Sequence, residues 1–375
     1  MSNPRKSGSR ATYLANIIPI RFYRIIRRER TFIALIGLLF IIAGLVYPYA
    51  GIARWVGFAL AGYSAIANDS IQTIGTFIAS NEDKRWWVLW LFIGGIFFAT
   101  VFYSWYVFDG DVSNQRLAAK GFSEAPQSFS FLQIAAPIFL LILTRMRMPV
   151  STTFLLLSCF SASAAAIGNV LIKSLSGYFL AFVVAIVVWV ALSNVIRKYF
   201  VGKPHKVWTV FQWITSGALW SVWIMQDAAN IAVYLPRSLS GEQFAAFSIY
   251  IFLGLGLLFY LRGDRIQQVV TEKSDVRDIR SATIIDFVYA IILYFFKIQS
   301  NVPMSTTWVF IGLLAGREIA MSFTDALGKG KPLSSSLKLV GKDAGYALFG
   351  LVVSIALAVA VNPNIGTDIM NYFTS

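Results

Sequence analysis

The sequence predicts an all-α polytopic membrane protein made of two inverted repeats, with broken helices and two re-entrant helical hairpins. Hydrophobic residues make up 57% of the 375 residues and charged residues only 13%, and the mean hydropathy is +0.66. Several apolar stretches are long enough to cross about 30 Å of hydrocarbon. Two polar motifs interrupt these stretches, and each motif occurs twice in the same order. These observations exclude a soluble fold and indicate an internal duplication.

The first 50 residues determine the predicted orientation. Residues 1–30 carry eight Lys or Arg against one acidic residue, Glu29, which accounts for about half of the net charge of +14. The positive-inside rule places this basic arm in the cytoplasm, beside anionic lipid headgroups, so the charge does not indicate a nucleic-acid partner. The apolar run at residues 31–50 is long for a signal-peptide core and lacks a convincing cleavage site. We therefore predict a retained first transmembrane helix there.

The later segments alternate across the membrane. The predicted spans cover residues 31–50, 52–80, 86–108, 177–199, 207–234, 243–261 and 344–361. The acidic loop after residue 108 suits the outside, and the highly charged loop at residues 262–280 is expected to be solvated. The predicted domains are the arm (1–30), the first helix (31–50), a first repeat (52–200), a second repeat (207–361) and a short C-terminal tail (362–375). We place the chain in a cell membrane, the inner membrane of a bacterium.

The first repeated motif, Pro-x-Ser-Thr-Thr, occupies residues 149–153 and 303–307, between long apolar runs. Lipid offers no partner for a hydroxyl or for the backbone that proline leaves unpaired, so such a cluster is expected to be buried in protein or to line an aqueous cavity. We predict that each motif forms the tip of a re-entrant hairpin, at residues 129–173 and 283–324. For the first hairpin, a pair of full spans remains an alternative, because the length of each arm permits both.

The second repeated motif precedes each tip. The first half reads Asn-Asp-x-x-Gln at residues 68–72, and the second half reads Gln-Asp-x-x-Asn at residues 226–230. The aspartate precedes the tip serine by 82 residues in the first half and by 78 in the second. We predict that both spans are broken near this motif. Inverted halves with broken helices are typical of secondary transporters, which bind substrate and coupling ions where the halves meet.

The aspartate motifs supply oxygen ligands for a hard cation. On a helix, Asp69, Gln72, Thr73 and Thr76 share one face, and this set suits Na⁺ or a proton better than a soft metal. The second half lacks the two threonines, so the first half is predicted to be the better-equipped site. A carboxylate inside the membrane costs at least about 2.5 kcal/mol, which favours a functional role. The predicted cation-binding residues are Asn68, Asp69, Gln72, Thr73, Gln226, Asp227 and Asn230.

The tips supply donors for an anion. Their hydroxyls, together with free backbone amides if helices begin there, form an anion cradle at a positive helix end. The predicted anion-binding residues are Ser151, Thr152, Thr153, Ser305, Thr306 and Thr307. Ser and Thr after a proline are also ordinary helix N-caps, and only the duplication favours binding over capping.

Other charged residues near the tips have several interpretations. Arg145 and Arg147, just before the first tip, are candidates for anion contact, with pairing to a carboxylate or snorkelling as alternatives. Asp286, Arg317 and Glu318 are expected to form an ion pair within the second hairpin.

Several classes of function are excluded by composition. The single cysteine, Cys159, rules out an internal disulfide framework, and the single histidine, His205, lies in a basic stretch that we interpret as a solvated loop. The chain has no His cluster for zinc or iron. It also has no clustered acid–base set, so we predict that it is not an enzyme and uses no cofactor.

The four motifs, taken in order, carry a family resemblance. Residues 67–76 are similar to the signature G-A-N-D-V-A-N-A-F-G-T of the inorganic phosphate transporter (PiT) family. Residues 226–230 resemble the second copy of that signature, and both Pro-x-Ser-Thr-Thr segments resemble the family's hairpin tips. The resemblance extends over residues 52–361 and is that of a divergent member.

The resemblance implies a symporter of a tetrahedral inorganic anion, phosphate above all, driven by Na⁺ or H⁺. It implies that Asn68, Asp69, Asp227 and Asn230 lie near the cations and that the tip hydroxyls lie near the anion. The expected partners are the anion and the lipid bilayer, and a homodimer is left open. A sulfate permease of the same family and an anion channel with the same polar lining are the alternatives.

The chain departs from the family pattern at several motif positions. Gln72 replaces the second amide of the first copy, and Gln226 replaces the first amide of the second copy. The histidine that often follows Ser-Thr-Thr is Phe154 in one tip and Trp308 in the other. Because each substitution moves or removes a polar atom at the expected site, the number of cations and the identity of the anion stay open.

Overall fold

A computed structural model describes residues 29–146, 148, 150–261, 278–324 and 332–374 of the chain, and this part is helical without β-strands. The helices are α1 (Glu29–Val46), α2 (Ala50–Asn68), α3 (Ser70–Ser80), α4 (Trp86–Val107), α5 (Phe131–Arg145), α6 (Thr152–Leu155), α7 (Ala164–Tyr199), α8 (Val207–Ala232), α9 (Gly241–Tyr260), α10 (Ile279–Gln299), α11 (Thr306–Thr324), α12 (Leu333–Val361) and α13 (Pro363–Thr374). Most of the predicted basic arm, Arg147 and Pro149 lie outside the described residues.

Seven of these helices are long and apolar enough to cross a membrane, namely α1, α2, α4, α7, α9, α10 and α12. The prediction of an all-α membrane protein with many spans is therefore confirmed. Helices α8 and α11 have the length to cross but are less apolar, and most of their residues are buried against other helices. Since protein rather than lipid surrounds them, they tolerate polar side chains.

The first aspartate motif interrupts a helix, and the second does not. Helix α2 ends at Asn68 and α3 begins at Ser70, with Asp69 between them. Helix α8 runs through Asp227 to Ala232 without a break, so the prediction of a broken span in the second half is wrong. Asn, Asp and Ser at residues 68–70 compete with helical hydrogen bonds, whereas alanines follow Asp227 and favour a continuous helix.

The two aspartate-carrying segments run in opposite directions. Near the start of α2, Gly57 lies against the ring of Tyr234, which follows the end of α8. At the other end, Asn81 Nδ2, just after α3, donates to Gln212 Oε1 near the start of α8 at 2.7 Å. The α2–α3 segment and α8 are therefore antiparallel along their length.

The helix that leads into each tip runs parallel to the aspartate-carrying segment of its own half. Helix α5 lies along α2, because Ser64 Oγ donates to Pro137 O at 2.9 Å and Thr144 Oγ1 donates to Asn68 Oδ1 at 3.0 Å. Helix α10 lies along α8, since Gln226 Nε2 donates to Leu293 O at 3.0 Å and Asp286 meets the same helix near its start. It follows that α5 and α10 run in opposite directions.

The segment predicted as the return arm of a first hairpin is shorter than predicted. After the tip, α6 and a short 3-10 helix (Leu157–Phe160) carry the chain only to residue 160, and α7 then continues as one helix of 36 residues. The predicted boundary between a hairpin ending at residue 173 and a span beginning at residue 177 is therefore wrong. Lys173, the last residue of the predicted hairpin, is 8% exposed within α7 and donates to backbone carbonyls that lead into the second tip.

Helices α7 and α11 pack closely and run in the same direction. A Cβ added at Gly312 would lie 2.3 Å from Tyr178 O, and one added at Gly316 would lie 2.2 Å from Phe182 O. This small-x-x-x-small spacing lets two backbones approach without intervening side chains. The contact fixes α11, and with it the second tip, against the long α7 helix.

The C-terminal end is more helical than predicted. Helix α12 begins at residue 333 rather than 344, and the residues predicted as a tail form α13. Ala164 N at the start of α7 lies 3.4 Å from Asp368 Oδ2 of α13, so this last helix contacts the rest of the fold.

Candidate ion-binding site

Two buried carboxylates belong to the aspartate motifs. The first is that of Asp69, which lies at the junction of α2 and α3 and is 1% exposed. Thr152 Oγ1 at the first tip donates a short hydrogen bond to Asp69 Oδ2. Asn68 Nδ2 donates to Asp69 Oδ1 at 2.7 Å and lies 2.9 Å from Val150 O. The first aspartate motif is therefore joined directly to the first tip.

The second carboxylate, Asp227 on α8, is 4% exposed and contacts both tips. Thr306 Oγ1 of the second tip donates to Asp227 Oδ2 at 2.5 Å. Thr153 Oγ1 of the first tip lies 3.3 Å from Asp227 Oδ1. Asn230 Nδ2, one helical turn further along α8, donates to Asp227 Oδ1 at 2.6 Å. Asp227 thus connects the two halves of the protein.

The two tips also contact each other. Thr153 Oγ1 of the first tip lies 3.1 Å from Met304 O of the second. The rings of Phe154 and Trp308, which directly follow the two Ser-Thr-Thr segments, have centroids 5.5 Å apart. Tyr289 on α10 donates to Thr306 O at 2.9 Å and holds the second tip from behind. The two tips, which are 154 residues apart in the sequence, therefore form one buried cluster.

The serines of the tips are helix caps. Ser151 Oγ accepts a hydrogen bond from Phe154 N at 3.2 Å, and Ser305 Oγ accepts one from Trp308 N at 3.3 Å. The capping interpretation therefore applies to both serines. Thr152, Thr153 and Thr306 turn instead towards the carboxylates. The last predicted anion ligand, Thr307, is 1% exposed beside them.

Three amide oxygens of the aspartate motifs are buried without a hydrogen-bond partner. They belong to Gln72, Gln226 and Asn230. A buried acceptor left unpaired costs about 1–3 kcal/mol, so native proteins seldom retain several of them unless another group is bound there. Carbonyl-type and carboxylate oxygens are ligands that Na⁺ and other hard cations accept. The unpaired oxygens therefore point to a cation.

The charge of the two carboxylates is not balanced by a direct ion pair. Within the described residues, no Lys or Arg forms a salt bridge with Asp69 or Asp227. In the same part of the chain, no group of three or more His, Cys, Asp or Glu is placed to hold a metal ion. Buried charge without an opposite charge beside it is costly, and binding of a cation or a proton would reduce that cost.

The comparisons with known proteins find no relative. The chain matches no protein-family model, no curated protein and no solved structure. The resemblance to the PiT family therefore depends on the four short motifs alone. The geometry of those motifs has to support any assignment of function.

Part of the predicted ligand face of α3 has a different role. Thr76 Oγ1 donates to Asp286 Oδ1 of α10 at 2.8 Å, and Thr73 Oγ1 lies 3.4 Å from the backbone oxygen of Asp69. The hydroxyls that made the first half appear better equipped thus do not reach the carboxylate of Asp69 in these contacts. The packing of the helices turns the predicted ligand face of α3 towards α10. The spacing of residues along α3 does not predict this orientation.

Asp286 is a third buried carboxyl group, and it is not part of the ion pair that the sequence suggests. It is fully buried and accepts hydrogen bonds from Thr76 and, at 2.5 Å, from Ser216 Oγ of α8. Arg317 Nη1 lies 3.3 Å from Glu318 Oε1, so that pair forms without Asp286. Of the ion pair expected among these three residues, Arg317 and Glu318 therefore form it, and Asp286 does not take part because it faces α3 and α8.

Of the interpretations given for Arg145, pairing with a carboxylate is the one that the structure shows. Arg145 pairs with Glu29 of α1 at 2.6 Å and lies over the ring of Phe32, so it does not reach the tips. Arg116, from the loop between α4 and α5, is instead fully buried, and its Nε lies 3.4 Å from Met225 O of α8. Burial lowers the pKa of Arg116 to about 10, so the guanidinium is charged at neutral pH. No sequence signal distinguished it from a solvated loop residue.

Proposed function

We propose that this protein is a cation-coupled symporter of a tetrahedral inorganic anion, with phosphate as the first candidate and Na⁺ or H⁺ as the coupling ion. The observation that carries the proposal is the pair of buried carboxylates, Asp69 and Asp227, each hydrogen-bonded by a threonine of a hairpin tip. One site thus combines anionic groups that attract a cation with hydroxyl donors that suit an oxyanion. Two ligands of opposite charge that bind side by side stabilise each other.

The cation is held, in this proposal, by the carboxylates and the unpaired amide oxygens. Gln72 Oε1 lies on the helix that begins after Asp69, and Gln226 Oε1 and Asn230 Oδ1 flank Asp227. The proposal therefore has two related cation sites, one in each half of the chain. Occupation by Na⁺, or protonation of the carboxylates, would remove the cost of the buried charge.

Coupling follows from competition for the threonine hydroxyls. In the structure, Thr152 and Thr306 donate to Asp69 and Asp227. A cation or proton on a carboxylate weakens its attraction for the hydroxyl hydrogen, which becomes available to an anion. The backbone amides at the start of α11, a helix of 19 residues, add donors at a positive helix end. Cation binding therefore prepares the anion site.

Alternating access is supported by the opposite directions of the two halves. The α2–α3 segment is antiparallel to α8, and the helices that lead into the tips, α5 and α10, also run in opposite directions. We propose that the two halves form an inverted repeat whose tips are re-entrant from opposite sides of the membrane. Such repeats open a central site to one side and then to the other.

Radiolabelled uptake by proteoliposomes tests the proposal. Purified protein is reconstituted, and phosphate or sulfate uptake is measured with an inward Na⁺ gradient, with an inward proton gradient and with neither. We expect one gradient to accumulate one of the anions above its external concentration, and an ionophore for that cation to abolish the accumulation. Uptake that only equilibrates would indicate a channel, and no uptake of either anion would reject anion symport.

A further inference from the structure

Three cationic side chains meet beside the segment that leads into the second tip, apart from the site described above. They are Arg116 from the loop between α4 and α5, Lys173 from α7 and Lys297 from α10, here called the basic cluster. Arg116 Nη1 and Lys173 Nζ both donate to Ser300 O, the latter at 3.0 Å. Lys297 Nζ lies 3.2 Å from the carbonyl of Asn114, two residues before Arg116. Three elements therefore bring positive charge to one place.

The charge of the basic cluster is not balanced by ion pairs. Within the described part of the chain, none of the three side chains forms a salt bridge. Asp111 and Asp227 act on the cluster only at longer range, and Asp111 is already hydrogen-bonded by backbone amides at residues 113 and 115. Arg116 is fully buried and Lys173 is 8% exposed. Like charges held together with so little solvent favour a bound anion.

The cluster also has buried donors without a partner. Arg116 Nη2 and Asn114 Nδ2 have no hydrogen-bond partner, and both residues are at least 98% buried, at 0% and 2% exposure. Lys297 Nζ donates one hydrogen bond, to Asn114 O, and has three N–H groups to donate. A guanidinium, an amide and an ammonium group together match the several acceptor oxygens of an oxyanion.

We propose that the basic cluster is a second binding site for an oxyanion, phosphate or sulfate, distinct from the site at Asp69 and Asp227. Lys173 Nζ also donates to Val302 O at 2.7 Å, so the cluster adjoins the chain just before the second tip. If the symporter proposal is correct, on which this role in transport depends, the anion rests here before it moves to the tips. A positive entrance raises the local anion concentration and speeds capture.

Cysteine labelling tests the basic cluster without requiring transport. In a Cys159→Ser background, the exposed neighbour Asn301 is replaced by cysteine, and the reaction rates of an anionic and a cationic methanethiosulfonate reagent are compared. We expect millimolar inorganic phosphate or sulfate to slow the labelling. We also expect Arg116→Gln to lower the anionic-to-cationic rate ratio by about tenfold, the effect of removing one nearby unit charge. Lys120→Gln, an exposed charge in the same loop, is the matched control and should leave the ratio unchanged.

A second variant tests the basic cluster independently, in case Arg116→Gln does not fold. Lys297 is only half-buried, so Lys297→Gln should fold and should lower the same ratio. In proteoliposomes, both variants should raise the KM for the anion severalfold while the half-saturating cation concentration stays constant. Slower cysteine labelling in the presence of phosphate or sulfate, without uptake of either anion, would support the oxyanion site at the basic cluster and reject the symporter proposal. If the wild type takes up anion but phosphate and sulfate do not slow the labelling, and neither variant changes the anionic-to-cationic rate ratio, the proposed oxyanion site is overturned.

Discussion

Asp227 is the residue at which the two hairpin tips meet. It is bonded by Thr306 of the second tip and contacted by Thr153 of the first, whereas Asp69 is bonded by Thr152 of the first tip and by its neighbour Asn68. Two of the three unpaired amide oxygens also belong to its own motif. The sequence favoured Asp69, because two threonines follow it on one helix face. The contacts favour Asp227 as the more important ligand.

We predict that Asp227→Asn lowers cation-driven uptake more than Asp69→Asn does, by about tenfold or more. Removing one charged ligand is expected to weaken cation binding by roughly 1.4 kcal/mol, which corresponds to a tenfold change. The measurement is the initial rate of anion uptake against cation concentration. Because Asn has nearly the same shape, both variants should elute as folded protein. A larger loss for Asp69→Asn would show that the first half holds the principal cation.

Thr153 connects the tips through one hydroxyl. Its Oγ1 lies near Asp227 Oδ1 and Met304 O and accepts a hydrogen bond from Asn230 Nδ2 at 3.2 Å. We predict that Thr153→Val, which keeps the shape and removes the hydroxyl, reduces uptake at least tenfold, because a buried amide and a carboxylate lose a partner. Thr153→Ser retains the hydroxyl and should keep most of the uptake. Equal uptake by both variants would remove Thr153 from the mechanism.

The contact between α7 and α11 is the closest helix approach that carries a tip. We predict that Gly316→Ala destabilises the protein by about 1–3 kcal/mol, because the new methyl group meets Phe182 O and pushes the helices apart. The measurement is the thermal unfolding midpoint in detergent. Gly168→Ala on α7 is the control, since nothing lies within 4 Å of an added Cβ there, and its midpoint should stay equal or rise. A lower midpoint for Gly168→Ala alone would contradict the packing argument.

The start of α10 is fastened to the end of α7 by Arg280, which is 4% exposed. Its guanidinium donates to Tyr199 O at 3.0 Å and Phe200 O at 2.9 Å and pairs with Asp278 at 2.6 Å. These carbonyls at the end of α7 lack helical partners, so a cation there is stabilising. Arg280 therefore joins the start of α10 to the end of α7 through several hydrogen bonds.

We predict that Arg280→Gln lowers stability by about 2 kcal/mol, since the carbonyls at the end of α7 lose a charged donor. Arg197→Gln, an exposed position in the last turn of α7, should cost much less. Burial raises the pKa of Asp278, but the hydrogen bonds and charge of Arg280 outweigh burial and lower that pKa. The contribution of Asp278 is therefore present above its unfolded pKa and lost as the pH falls through its folded pKa. A thermal midpoint that Arg280→Gln leaves unchanged would reject the cap.

At the scale of the whole molecule, the positions of the loops test the predicted topology. The end of α12, at Val361 and Asn362, lines a cleft of about 740 Å³ together with the loop at residues 121–130. Ser334, at the other end of α12, is then about 40 Å from that cleft. The two ends of α12 are far enough apart to lie on opposite sides of a membrane.

We predict that single cysteines at Ser123 and Ser334, in a Cys159→Ser background, react from opposite sides. Ser123 should be labelled by an impermeant reagent added outside whole cells, and Ser334 only after the membrane is opened, because the basic N-terminal arm is predicted to be cytoplasmic. Labelling of both from one side would contradict the arrangement of the spans. Labelling in the reverse order would keep the fold and invert the orientation.

The sequence by itself determined the class of protein, the position of most helices and the residues of both polar motifs. These features are local, because hydrophobic length and helix-breaking residues act within one segment. The same local signals misplaced the break expected at Asp227 and the boundary expected between residues 173 and 177. In both places the helix continues, since α7 and α8 are packed among other helices that pair their polar groups.

Only the tertiary structure decided which polar groups face each other. It separated the capping serines from the threonines that bond to carboxylates, and it brought Arg116 to Ser300, 184 residues away, and Thr76 to Asp286, 210 residues away. A spacing rule along one helix identifies a face but not the neighbour of that face. The neighbour depends on how distant segments pack, and a buried hydroxyl, amide or charge takes its partner from whichever helix that packing supplies.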